Sequence, residues 1–577
     1  MKTIQYFCMV LLIVGTSHPQ WSTDPTQNLR VTNVGLLPNI LSNERGSSYI
    51  AYNDLPLLGI HIMLQKLDKY GYRQFTGNGI MIADSSHLQA HRYFLVDDQN
   101  GGVIIVYDDS FIMEEDGYTQ THAQHIDSTG QKIWGENGIT VAQTPNSHGL
   151  MLVSSCSDGL GGCFVFWGFY NDRENVDLRV QHLDKAGNQL WDDNGILITD
   201  KFMSYNNPIP CLSVEDDAGG TFLLYHNSED AVLQRIDSDG SLLWDYGLSL
   251  ASREELDKGK LMWPNMIKNG HGGVVIAFSE RADYEELSGD RIYNVGVHSV
   301  DKDGNLLWGE NGLLITRLAY RQTFQPQLLV NEAIGSYYIV WRDKRTGVYD
   351  VYAQRLSEDG LILWEDDGIK VSASNSIKSI RFNFVASPDS GIIVLWSDYR
   401  NEEGTLRAQH IAPDGKYVWP DDVIVTRRES VNSVQVSSFG KNEGLVACWY
   451  AEPPEVGIFA QQVNSVGELG EIIETSILKR PKSHPNKTHL FQNFPNPFNS
   501  QTSIRFDIPF MTNYRLCICD VNGKEVMAYN NEIKKSYRGE VVWSGNDKEG
   551  RRVASGIYFA RFVSKEFSKT IKLLFIK

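Results

Sequence analysis

Apolar residues in this chain gather in short unbroken runs, each opened by glycine. Gly101-Gly102-Val103-Ile104-Ile105-Val106-Tyr107 and Gly272-Gly273-Val274-Val275-Ile276-Ala277-Phe278 are the clearest, and others begin near Gly46, Gly161, Gly219, Gly335, Gly391 and Gly444. A weaker alternating stretch precedes each run, as at 151–155 and 327–330, and a strand-like stretch ending in Gln-x-x-Asp follows it. Period-two alternation and short apolar runs between turn residues are strand signals, and no segment shows the helical period. An unbroken run predicts a strand covered on both faces.

The same order returns along the chain. Gln181-His182-Leu183-Asp184-Lys185-Ala186-Gly187-Asn188-Gln189-Leu190-Trp191 opens a unit repeated at 124–142, 298–316 and 354–372, with weaker copies from Gln65, Gln234, Gln409 and Gln461. The anchoring glycines are Gly71, Gly130, Gly187, Gly240, Gly304, Gly360, Gly415 and Gly467, spaced 52 to 64 residues apart. Four positions after the first seven stands Phe75, Trp134, Trp191, Trp244, Trp308, Trp364 or Trp419; the eighth copy has Glu471. Four short strands per unit predict an all-β fold, an eight-bladed β-propeller over 28–478, or seven blades with a displaced terminal unit. The innermost strands are expected to line a channel, and the Asp-x-x-Gly turn to join the third strand to a fourth that carries the tryptophan. Glycine supplies the positive φ of that turn, and the aspartate accepts from its amides. One aromatic position repeated this often is expected to pack between blades rather than to stack on a sugar. Asn78-Gly79, Asn137-Gly138, Asn194-Gly195 and Asn311-Gly312 predict a left-handed bulge or tight turn in the outer strand.

Composition alters this picture mainly at the ends. Lys2, the apolar run 7–14 and the small residues Gly15-Thr16-Ser17 read as a secretory signal over 1–17. That run is too short to span a bilayer, and no later segment is long enough, so no membrane span is expected in the mature chain. The formal charge of −18 is uneven: 479–577 hold 18 Lys and Arg against 8 Asp and Glu, and the remainder 35 against 63. So acidic a body argues against nucleic acid and anionic lipid as partners. Cys156 and Cys163 flank a glycine-rich turn, where a cross-hairpin disulfide and two buried thiols are both open. Cys517 and Cys519 share one face of a strand and cannot easily bridge, and without a C-x-x-C pair structural zinc is disfavoured.

The repeat turn resembles the Asp box of sialidase-like propellers, but Asp239-Gly240-Ser241-Leu242-Leu243-Trp244 has one residue too many between Gly and Trp. It also resembles the tryptophan repeat of quinoprotein dehydrogenases, with Asp127 one place too close to Gly130. Both motifs are structural, so they imply fold and no activity. The C-terminal stretch Phe491-Gln492-Asn493-Phe494-Pro495-Asn496-Pro497-Phe498-Asn499 resembles the opening of the type IX secretion sorting domain. Further matches follow in order through Gly523, Trp543, Gly556, Tyr558 and Lys572 to the last residue. The resemblance implies an Ig-like β-sandwich over 491–577, read by the type IX machinery of a Bacteroidota-type bacterium, with the passenger released or held at the cell surface. An ordinary accessory Ig-like module is the alternative. The lysine-, arginine- and proline-bearing stretch 479–490 reads as a linker. The array itself resembles repeats of secreted proteins carrying this tail, a grouping that implies no shared activity.

The chain contains no H-E-x-x-H, Walker loop, G-x-S-x-G or complete dinucleotide fingerprint. His125, His182 and His410 occupy equivalent places in the repeat, which suits structure better than ligation. Loops on one propeller face are acidic, and Glu115, Asp172, Asp283, Asp343 and Asp398 represent them as candidate ligand-binding residues. Such a ring suits calcium, a cationic partner or, with paired carboxylates, glycoside chemistry; the alternative is a solvated face that keeps an exported protein soluble. Tyr205, Tyr320 and Phe324 are weaker candidates for a sugar platform. The Asp and Arg of Trp341-Arg342-Asp343-Lys344-Arg345 and Trp396-Ser397-Asp398-Tyr399-Arg400 are expected to pair locally. The expectation is an exported, non-enzymatic module that binds an extracellular glycan or protein, with a carbohydrate-active hydrolase or lyase as the alternative. No cofactor is expected beyond a possible calcium ion.

Overall fold

The computed structural model describes most of residues 21–576; outside it lie 1–20, 471–487 and shorter segments that include 111–117, 171–175, 203–210, 251–260, 285–290, 318–322, 373–380 and 399–404. The chain divides into two units, Met1–Ile473 and Glu474–Lys577. The expected signal falls outside the described residues.

The described part of the first unit forms eight four-stranded antiparallel sheets, numbered here in chain order. Sheets 1 to 7 span 36–85, 93–145, 150–199, 212–250, 262–314, 323–370 and 382–426. Sheet 8 is assembled from both ends of the unit: Val431–Phe439, Gly444–Ala451 and Gly457–Asn464 are completed by Leu29–Thr32, which pairs with Gly457–Asn464. First strands of successive sheets lie side by side, and that of sheet 8 returns to that of sheet 1, so the propeller closes on itself. The second strands carry the unbroken runs and are covered on both faces, as Val103 to Val106 and Ile392 to Val394 show at 0% exposure. The apolar clusters sit between neighbouring sheets: one joins Val96, Ile104 and Val106 to Leu152, Val165 and Trp167, and another joins Ile458 and Ala460 to Ile50 and Tyr52 across the seam. Burial of each large apolar side chain contributes roughly 1.5–3 kcal/mol, so the interfaces between sheets, not the sheets alone, hold the ring together.

The Asp-x-x-Gly turn forms as the residues dictate. Asp127 accepts from the Thr129 and Gln131 amides at 2.8 and 2.9 Å, and Gly130 sits at φ +94°. Glycine is needed for a second reason: a Cβ on Gly187 would lie 3.0 Å from the Trp134 ring. The repeated tryptophan of one sheet thus lies on the repeated glycine of the next. Its indole N–H donates to a carbonyl in that turn, Trp134 to Lys185 at 3.2 Å, Trp364 to Pro413 at 2.9 Å and Trp419 to Ser465 at 3.1 Å. The tryptophan stands before the fourth strand and not within it, as Trp134 precedes Ile139–Pro145. The buried glutamine of Gln-x-x-Asp clamps this segment. Gln124 accepts from the Trp134 amide at 3.3 Å and donates to the Gly135 carbonyl at 2.7 Å. The Asn-Gly pairs form tight turns just ahead of the fourth strands, with Gly138 at φ +70° and a register shift one step into the pairing with the third strand.

Trp21 resolves the irregular eighth copy. It is 3% exposed, lies against Gly71 and donates from its indole nitrogen to the Lys69 carbonyl at 3.0 Å. Gln461 donates to the Ser22 carbonyl at 2.8 Å, the same clamp that Gln124 applies within its own sheet. The N-terminal segment therefore supplies the tryptophan that Glu471 fails to provide, and the fold reaches upstream of residue 28.

In the second unit, His489–Leu490, Thr502–Ile508 and Tyr537–Trp543 form one sheet, and Glu525–Ile533, Thr512–Cys519, Gly556–Ser564 and Ser568–Phe575 another. One core with Ile504, Phe506 and Trp543 from the first and Leu516, Phe562 and Leu573 from the second lies between them. Asn496 donates to the Lys572 carbonyl at 3.0 Å and accepts from the Leu574 amide at 2.8 Å, while Phe498 packs against Trp543 and Phe575. The opening of the motif is thereby fastened to the last strand. Gly523 closes a second Asp-x-x-Gly turn at φ +78°, Gly556 opens its strand, and Tyr558 donates to the Ala554 carbonyl at 2.7 Å. Pro495 and Pro497 lie outside the described residues.

Candidate functional site

The N-terminal ends of the innermost strands surround the channel mouth, and the second strands end at the same level. Of the acidic candidates, Asp343 and Asp398 sit at those second-strand ends, each 0% exposed. Asp343 accepts from Arg345 Nε at 2.8 Å, and Arg407 Nε lies 2.9 Å from Asp398 Oδ2. Both carboxylates are neutralised inside the fold. Asp283 lies in Val274–Tyr284, with no description of its side chain, and Glu115 and Asp172 fall outside the described residues, as do Tyr205 and Tyr320. Phe324 packs edge-on against Trp263 at 4.9 Å, with Arg342 above its ring.

The repeated histidines are structural. His125, His182 and His410 meet Asp98, Asp158 and Asp389 at 2.9, 3.1 and 2.9 Å. Asp98 and Asp158 also cap their glycine turns, accepting from the Gly102 and Gly162 amides at 2.7 and 2.8 Å. Burial works to raise these carboxyls, but the histidine and turn amides, joined at Asp389 by the Ser387 hydroxyl as the largest lowering contact, outweigh it and hold all three below the ordinary range. In sheet 4 Arg235 takes the histidine's place, 2.7 Å from Asp216. Among the described residues no group of three His, Cys, Asp or Glu comes together as a metal site. Cys156 and Cys163 are free thiols: Cys163 stands opposite Ser157 and Cys156 opposite Phe164, so they are out of register, and burial pushes Cys156 up to about 11.

A cavity of about 530 Å³ opens at the mouth, lined by the first strands of sheets 1, 2, 3 and 8 and by Arg381 just ahead of sheet 7. Its walls combine Leu37, Phe94 and Leu152 with Asn39, Ser433 and Gln435, and two exposed arginines, Arg92 and Arg381, complete it. The arginines occupy equivalent places, one residue before the first strands of sheets 2 and 7. The Asp108 amide donates to the Arg92 carbonyl at 3.2 Å, and the Ser397 amide to the Arg381 carbonyl at 3.0 Å. Asp108 also accepts from the Arg92 amide at 2.9 Å. The backbone at both is thus tied to a buried second strand.

Leu37 and Ser433 adopt φ +51° and +50°, and the pairing of sheets 1, 3 and 8 shifts register beside the cavity; Trp263 and Gln325, at φ +48° and +55°, repeat the bulge in sheets 5 and 6. A left-handed residue other than glycine costs about 1–2 kcal/mol. The Tyr93 hydroxyl holds this shape, donating to the Leu37 carbonyl and lying 3.0 Å from that of Ala51, and burial raises its pKa. Bulges of this kind re-aim side chains. Neither the cavity nor its arginines were visible as a cluster in the sequence: Arg92 and Arg381 are 289 positions apart in the numbering, and only the shared place before an inner strand relates them.

Residues 492–577 match the family described as the secretion system C-terminal sorting domain. This tail directs export by type IX secretion across the outer membrane, to the cell surface or the extracellular space. No curated protein matches the chain. Among solved structures it is similar to a polysaccharide lyase of family PL25, an ulvan lyase bound to -[GlcA(1-4)Rha3S]-. That match has 12% identity and a TM-score of 0.40, over 78% of this chain and 98% of the other. It is also similar to prolyl oligopeptidase B from Galerina marginata (10%, 0.39, 73% and 55%) and to an endo-arabinase from Bacteroides thetaiotaomicron (12%, 0.26, 67% and 99%). At these scores the fold stands on its own sheet order, and no activity passes from these proteins to this chain.

Proposed function

We propose that the propeller is an exported recognition module that takes an extracellular glycan or protein group into the mouth of its central channel. The observation that supports this reading is the cavity at the channel mouth, of a size suited to a small ligand or one or two units of a chain. The acidic candidates described at this end, Asp343 and Asp398, are engaged in ion pairs, so acid–base chemistry is not assigned to them. The test is to incubate the exported full-length protein with a panel of polysaccharides and oligosaccharides, scoring retention and released products, with and without chelator. Retention without cleavage, weakened by substitutions at Leu37 and Gln435, is the expected result. Released products would replace this reading with a carbohydrate-active enzyme, and loss on chelation would assign calcium to the loops. Absence of any binding and of products would refute the glycan reading and point to a protein partner.

A further inference from the structure

On the sorting domain, away from the propeller, we infer that Cys517 and Cys519 together chelate one soft monovalent cation of the copper(I) class. The two residues flank Ile518 at the end of Thr512–Cys519, the strand that runs between Glu525–Ile533 and Gly556–Ser564. Leu516 and Ile518 enter the core, so the cysteines share the opposite face of the sheet, about 6.5 Å apart along the strand. Both are free thiols and half-buried, within reach of solvent, whereas Cys163, Cys211 and Cys448 are buried in the propeller. The two side chains also meet. The Cys517 thiol is within hydrogen-bonding reach of Cys519, and burial together with this neighbour pushes Cys519 above the ordinary thiol range. Cys517 gives its S–H to the Arg561 carbonyl at 3.7 Å, a weak contact that a metal ion displaces.

The donor set selects the ion. Thiolates are soft ligands and favour copper(I) over hard divalent cations. A structural zinc ion takes four ligands, and among the described residues no third His, Cys, Asp or Glu joins this pair. Glu525 stands opposite Cys519 but is spent on Arg515 at 2.6 Å, and Asp520 holds the turn amides of Asn522 and Lys524, each at 2.9 Å. Two converging sulfurs are enough for copper(I), which accepts linear two-coordination. Binding replaces two S–H bonds with two sulfur–copper bonds, releases two protons to solvent and leaves a complex with one negative charge. Arg515, which reaches Cys517, and Arg561, opposite Cys517 in the pairing, offset that charge.

The experiment titrates the full-length protein, sorting domain included, with copper(I) held by the coloured chelator bathocuproine disulfonate under anaerobic conditions. The wild type is compared with Cys517→Ser, with Cys519→Ser and, as a control, with Cys156→Ser in sheet 3. The inference expects one copper per chain with two sulfur neighbours by X-ray absorption. Each of the first two variants should bind about a hundredfold more weakly, with an unchanged melting temperature, and the control should bind as the wild type does. Copper is also expected to protect both residues from alkylation in the wild type, a readout that needs no variant. Failure to withdraw copper from the chelator, or binding that survives either sorting-domain substitution, would overturn the inference. So would one copper shared between two chains, alkylation at the unprotected rate, or a disulfide joining the two cysteines in the untreated protein.

Discussion

Replacing Trp21 with alanine removes the aromatic residue that the eighth repeat borrows from the N-terminus. Trp21 is 3% exposed, covers Gly71 and bonds the Lys69 carbonyl at 3.0 Å, so its truncation leaves a cavity at the seam between sheets 8 and 1. Loss of a buried tryptophan costs about 3–5 kcal/mol. Trp419 makes the matched comparison: it is equally buried and donates to Ser465 at 3.1 Å, but lies between sheets 7 and 8, in continuous chain. Trp419→Ala is expected to lower stability by a similar about 3–5 kcal/mol without changing the denaturant slope. Trp21→Ala is expected to do more than that. The segment that carries Leu29–Thr32 loses its anchor, sheet 8 loses its outer strand, and an open edge appears on Gly457–Asn464. Urea titration followed by fluorescence should then show a shallower slope, and amide exchange should quicken at 29–32 and 457–464 before global unfolding. A cost for Trp21→Ala below about 1 kcal/mol, or unchanged exchange in those strands, would refute closure by the N-terminal segment.

Three other outcomes follow from the same geometry. Asp98, Asp158 and Asp389 titrate below their unfolded value of about 3.9, so the stability they contribute is complete above that pH and is lost as pH falls through the folded values. Asp158→Asn should flatten the acid limb of a melting-temperature profile, and an unaltered limb would count against the pairing with His182. Asp398→Asn removes the buried carboxylate that pairs with the half-buried Arg407 and is expected to cost about 3–5 kcal/mol in urea titration; a change under about 1 kcal/mol would return Asp398 to the candidate ligand residues. Asn496→Ala frees the opening of the sorting motif from the Lys572 carbonyl and Leu574 amide, at about 1 kcal/mol for each bond, and is expected to reduce export; wild-type amounts outside the cell would refute that role.

The sequence by itself determined whatever is local and repeated. Glycine-opened apolar runs specify buried strands because a strand covered on both faces has no polar side to show. Asp-x-x-Gly specifies its turn because aspartate oxygen and a left-handed glycine are needed within four residues of each other. The sorting tail was legible for the same reason, as a fixed order of landmarks ending at Lys577. Tertiary structure alone decided what depends on distant residues meeting. The partner of each tryptophan is the glycine of the following sheet, and at the seam Trp21 meets Gly71 and Gln461 meets Ser22. The sequence offers Asp343 and Asp398 both as acidic loop candidates and as members of local Asp–Arg pairs: Asp343 meets its local Arg345, whereas Asp398 meets Arg407 from the adjacent strand, and only packing shows that both are buried. Arg92 and Arg381 line one cavity only because the ring brings the starts of sheets 2 and 7 around it. A closed ring converts separation along the chain into angular position, and that position is set by how neighbouring sheets pack, not by any one repeat.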